Sequence, residues 1–288
     1  MSHPQIAAFA RLAGENTPAL RALEGQKTLL SRTMHGLAFD EVNDEIVVTS
    51  PLAQAILTFR GGANGEEPPL RVIQGSQTQI LGDAYSALDK VSVDGVNNEI
   101  YLPLGDGQSG ERRNGAGVLP GILVFDRMAK GNVAPKRVLK GPRTQIVGNK
   151  PPVAIDALHN LVVVNLNSAF LIFDRTASGD VAPKRIIRGP RSQAGSTGNF
   201  RVHAPTGMIV SRCTGDAVCA WSINDDGDVP PRWRLPVKQL TDYRISGLAL
   251  DPAHKEVLFS VAGWGEGDYP KSGIMNAVLT FSWPEIFQ

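Results

Sequence analysis

The sequence predicts an all-β chain, a β-propeller of four-stranded antiparallel blades, and three observations carry that prediction. A phrase recurs: "FDRMAKGNVAPKRVLKGPRTQI" from Phe125 returns as "FDRTASGDVAPKRIIRGPRSQA" from Phe173. Four units place Gly six positions after an aromatic (Gly65, Gly131, Gly179, Gly227) and Pro ten positions after it (Pro69, Pro135, Pro183, Pro231). The segments between them alternate apolar and polar residues at period two, without a helix-period stripe. A sheet of ~50 residues cannot bury its two faces alone, so it stacks radially on its own copies.

The elements of one unit follow in order. The first strand lies in "GLAFDEVND", "KVSVDGVNN", "PVAIDALHN", "FRVHAPTG" and "GLALDPAHK". It ends in Asp40, Asp94, Asp156 or Asp251, with His203 in the fourth copy. An Asp recurring in this way predicts an Asx-type turn rather than a unique site, with His159 and His254 exposed in the same turns. The second strand is β-branched and continuous: "EIVVTSP", "EIYLPLG", "LVVVNLN", "MIVSRCT", "EVLFSVA". The third ends in the aromatic, as in "AILTFRG" and "FLIFDR". A turn follows in which Gly supplies positive φ, and "NDDGD" at Asn224–Asp228 reads as one copy of it. Pro then precedes a short fourth strand, "PLRVIQG", "PKRVLKG", "PKRIIRG" or "PRWRLPV". Its cations (Lys136, Arg137, Lys184, Arg185, Arg188, Arg191) suit a solvated outer edge.

Blades start at Gly36, Lys90, Pro152, Phe200 and Gly247, which gives five, with six as the alternative. The last lacks a clear fourth strand, while the N-terminus supplies only a third and a fourth. The N-terminal segment is therefore expected to complete the last blade and close the ring, making residues 1–288 a single propeller domain. One strand is surplus, because "QIAAFAR" and "AVLTFSW" both claim the third position.

Bulk properties exclude some functions. The 288 residues are 42% hydrophobic and 20% charged, ordinary for a globular chain with a large core. The net charge of +1 gives no global attraction to nucleic acid or anionic membrane. No apolar run reaches the roughly 20 residues of a bilayer span. The start, "MSHPQIAAFARLAG", lacks a signal peptide's basic and apolar segments, which leaves a cytoplasmic chain or a mature region whose signal is gone. Cys213 and Cys219 either bond across a tight hairpin or pack as two small apolar residues. Their spacing does not indicate zinc. "GPRTQIVGNK" lacks P-loop spacing, and neither G-x-S-x-G nor H-E-x-x-H occurs.

The stretch "VAIDALHNLVVVNLNSAFLIFDRTASGDVAPKRIIRGP" resembles the NHL-type repeats of bacterial secreted propellers. More distantly, the chain resembles the gluconolactonase, paraoxonase and strictosidine-synthase-like propellers. The first resemblance implies a periplasmic or extracellular protein. The second implies a divalent ion, Ca²⁺, in the central channel and hydrolysis of a small lactone or ester.

Strand parity places a candidate site. Loops joining second to third strands share a face, and the two longest, Leu104–Pro120 and Gly263–Asn276, both lie there. They bring Glu266 and Asp268 forward as catalytic candidates, with His35, just before the first strand of the blade between them, as a general base. Asp106, Glu111 and Asn165 offer the oxygen ligands that Ca²⁺ prefers. Trp264, Tyr269, Arg112, Arg113 and Tyr85 are candidate substrate anchors. Two functions follow: a metal-dependent hydrolase of a small lactone or ester, such as a sugar lactone or an acyl-homoserine lactone, or a non-catalytic module recognising a peptide, glycan or partner protein.

Overall fold

The structure, a computed structural model, describes residues 5–14, 16–31, 36–50, 53–80, 90–104, 120–148, 151–166, 168–194, 200–238, 244–262 and 276–288. The chain is all-β, and its sheets are propeller blades. It divides into two compact units, Met1–Leu139 with Gly148–Lys150, and Lys140–Val147 with Pro151–Gln288.

The first unit opens with a two-stranded sheet, β1 (Gln5–Ala8) and β2 (Arg21–Glu24). A four-stranded sheet in chain order follows: β3 (Leu37–Asp40), β4 (Glu45–Ser50), β5 (Ala55–Arg60) and β6 (Arg71–Gln74). The next blade repeats it with β7 (Ser92–Asp94), β8 (Glu99–Leu104), β9 (Gly121–Asp126) and β10 (Arg137–Lys140). Every residue of β4 is buried. Period two explains this: Val47 packs with Ile100, Leu102 and Phe125 on one face, while Ile46 and Val48 pack with Leu23 and Phe59 on the other. Both faces are covered, so apolar residues run consecutively through Ile46, Val47 and Val48 instead of alternating with polar ones. Each such side chain contributes about 1.5–3 kcal/mol.

The second unit holds β11 (Val153–Asp156), β12 (Leu161–Leu166), β13 (Ala169–Asp174) and β14 (Arg185–Arg188) in one sheet. The next is β15 (Phe200–His203), β16 (Met208–Cys213), β17 (Ala217–Ser222) and β18 (Trp233–Leu235). The last is β19 (Arg244–Asp251), β20 (Glu256–Ala262) and β21 (Asn276–Ser282), three strands among the described residues. Phe170 and Trp221 fill the space between the first two sheets, with ring centroids 4.9 Å apart. The first four repeats begin within two residues of where the sequence places them; the fifth begins at Arg244, three residues before Gly247, with a register shift between Ile245 and Gly247. The two rival third strands each sit in a sheet of their own, β1 paired with β2 and β21 with β20.

The recurring Asp residues close their turns as expected. The Asp94 carboxylate accepts from the Asn97 backbone N–H at 3.0 Å and from Asn97 Nδ2 at 2.8 Å. Asp156 holds His159 N–H and Nδ1 at 2.9 and 2.8 Å, and Asp251 does the same with His254. In the fourth blade His203 Nδ1 lies 2.7 Å from Thr206 Oγ1, and its ring meets Phe287 edge-on.

The repeated phrase does more than form an outer edge. Ile73 bridges in parallel to Gly131 of the following turn, with Gly131 N–H donating to Val72 O at 2.7 Å and Gln74 N–H to Gly131 O at 3.1 Å. Leu23 with Gly65, and Ile187 with Gly227, repeat this. Gly131 sits at φ +76° with open space around its missing side chain, so conformation rather than room selects glycine. The glycines that follow β2, β6, β10 and β14 are held differently. A Cβ on Gly141 would lie 2.4 Å from Asp180 Cγ, because Asp180 reaches in to accept from Arg143 N–H at 2.7 Å. A single 3₁₀ turn follows. In Pro142–Thr144, Thr144 Oγ1 donates to Gly141 O and accepts from Ile146 N–H; Thr28, Thr78 and Ser192 repeat this, all fully buried.

The expectation of a solvated basic edge is corrected at Arg137, whose side chain is only 14% exposed and forks onto Glu99 with two 2.7 Å bonds. Charge here ties the fourth strand to the second. Cys213 and Cys219 form a disulfide across the β16–β17 hairpin, with Cα atoms 5.8 Å apart. They are therefore both the bonded pair and two buried residues of the core.

Candidate functional site

Of the residues brought forward from sequence, only Asn165 falls within the described structure. His35, Tyr85, Asp106, Glu111, Arg112, Arg113, Trp264, Glu266, Asp268 and Tyr269 lie outside the described residues. Asn165 is on β12 and 1% exposed. Its Nδ2 donates to Ser211 Oγ at 3.2 Å, and its backbone N–H to Pro152 O at 2.9 Å. It thereby ties β12 to β16, a joint between two blades. Among the described residues, no group of three His, Cys, Asp or Glu side chains is placed to hold a metal ion, and no helix is long and apolar enough to cross a membrane.

Several described carboxylates have visible duties. Glu45 receives Arg71 Nη2 and, at 2.6 Å, Arg127 Nη1. Burial raises its pKa, but the two guanidinium groups outweigh that and hold it below the usual glutamate range. Glu99 is held further down, at about 2: burial again opposes, and hydrogen bonds from Arg137, Tyr101 and Lys136 prevail. In "NDDGD", Asp225 accepts from Ser222 N–H, Asp226 from Ile186 N–H and Asp228 from Ser192 N–H. This segment is a hairpin turn, as its alignment with the other repeats predicts.

The third and fourth blades replace part of this ionic pattern. Leu161 stands where β4 has Glu45, and Ile223 where β9 is followed by Arg127. Both are buried in one apolar cluster, a coherent exchange of an ion pair for a hydrophobic one. Arg185, the counterpart of Arg71, keeps only a 3.3 Å bond to Asn224 Oδ1, and its buried Nη1 has no hydrogen-bond partner among the described residues.

Arg201 was not singled out from the sequence. It lies two positions before His203 on β15, where the other blades have Ala38, Ser92, Ala154 and Ala249 before their Asp. That one large cation among small residues is the signal that would have found it. The first strands β11 and β19 pack on either side of β15. Arg201 Nη1 donates to Phe200 O at 2.9 Å, and no carboxylate pairs with it among the described residues. The side chain is exposed by accessible surface, although protein atoms crowd around it and lower its pKa. The accessible surface decides whether a ligand reaches the group; the crowding explains the direction of the shift.

No protein family matches the sequence, and no curated protein does. Among solved structures, the chain is similar to hydrazine synthase of Kuenenia stuttgartiensis, with a TM-score of 0.56 and 10% identity over 86% of this chain. The match spans 62% of that chain's length. At this identity the likeness shows the β-propeller fold alone.

Proposed function

We propose that this propeller is a recognition module that binds a ligand without transforming it. The supporting observation is the duty of its acids: Asp94, Asp156 and Asp251 on the first strands each close their own turn, and Glu45 and Glu99 on the second strands are each clamped by arginine. A channel metal or a general base draws on carboxylates free to take a ligand or a proton. These five acids are instead engaged in holding the blades.

The test is hydrolysis of a panel of sugar lactones and an acyl-homoserine lactone, with added Ca²⁺ and with EDTA. The expected result is no turnover above buffer. Ca²⁺-dependent turnover that EDTA abolishes would overturn the recognition reading. It would support the hydrolase built on His35, Glu266 and Asp268.

A further inference from the structure

We infer that Arg201 is the recognition residue for an oxyanion, a carboxylate or a phosphate, at the first strands of the second unit; this rests on the recognition reading above. The inference starts from position. The first strand of a blade carries a small residue two places before its terminal Asp in four copies, and only the copy on β15 carries a guanidinium. The neighbouring first strands carry Ala154 and Ala249 at the equivalent place.

Chemistry then selects the ligand. Arg71, Arg127 and Arg137 each take a carboxylate from within the blades, and Arg185 is turned inward with an inaccessible nitrogen. Arg201 combines accessibility with a single bond to its neighbour's carbonyl, and no carboxylate partner occurs among the described residues. A planar guanidinium matches the paired oxygens of a carboxylate or phosphate, and surrounding protein strengthens such charge-assisted bonds. The lowered pKa agrees with a cation that lacks a countercharge.

The whole chain is titrated calorimetrically with succinate and, separately, inorganic phosphate, as wild type and as Arg201→Gln. Saturable binding of either anion is expected, about ten- to a hundredfold weaker in the variant. The two titrations decide which oxyanion is preferred. A second measurement needs no variant: the bound anion is expected to slow phenylglyoxal modification of Arg201, read by peptide mass spectrometry. Binding of neither anion, equal affinity in Arg201→Gln, or unchanged modification overturns the inference. Those results leave the recognition reading standing, because lactone turnover judges it independently.

Discussion

Glu99 is where charge and fold meet most tightly. Its side chain is 2% exposed and receives Lys136 at 3.0 Å as well as Arg137. Replacing it by glutamine leaves the half-buried Arg137 without its countercharge. Urea unfolding of Glu99→Gln is expected to show a loss of about 3 kcal/mol. Arg60→Gln, which breaks a surface pair with Glu67, is expected to leave the urea midpoint nearly unchanged. The pH dependence follows from the same group. Its folded pKa is depressed, so its stabilisation is present above the unfolded value of about 4.3 and is lost as pH falls towards about 2. The step is about 1–2 kcal/mol after allowing for solvent screening, and it is absent in Glu99→Gln. His203 has the less common histidine sign. Burial lowers its pKa, against the Ile286 contact that raises it, so the neutral ring is favoured in the folded chain. Its contribution is present above the unfolded value of about 6.5 and fades as pH drops below it. An NMR titration that found the His203 pKa above 6.5 would contradict this.

At the scale of elements, glycine and cysteine give separable tests. Gly131→Ala meets only backbone strain at positive φ and is expected to cost about 1–2 kcal/mol. Gly141→Ala also displaces Asp180 and is expected to cost roughly 2–4 kcal/mol. Thermal unfolding of the two variants reads the difference. The Cys213–Cys219 bond predicts a non-reduced peptide pair by mass spectrometry, and its removal is expected to destabilise by about 2 kcal/mol. The strands and hairpins were legible because alternation and turn residues are local signals. The Asx turns were legible for the same reason. The joint between Ile73 and Gly131 was not, because a turn glycine looks the same whether or not a neighbouring strand docks on it. The 3₁₀ turn left a signal that was passed over: Gly followed three places later by Thr or Ser, at Gly25, Gly75, Gly141 and Gly189.

For the whole molecule, repetition made the fold readable and the site opaque. The copies check one another, so five weak patterns add up to one architecture. A site depends on what differs between copies, and differences such as Leu161 for Glu45 or Arg201 for alanine carry meaning only after the copies are superposed. The long loops have no period to read, so strand parity gives the face they share and nothing of how their side chains are arranged. Charge yields a prediction at this scale too. With a net charge of +1, the chain is expected not to be retained on DNA–agarose at physiological salt.

The bridge from Ile187 to Gly227 has a consequence for how such a chain changes length. The β3–β6 segment carries both halves, the receiving strand at Ile73 and the matching glycine, Gly65, in its own turn. Copying one segment therefore copies both halves of the fastener. A duplicate placed beside its parent would find a compatible partner at either end, so segments can be gained or dropped without a new junction having to evolve.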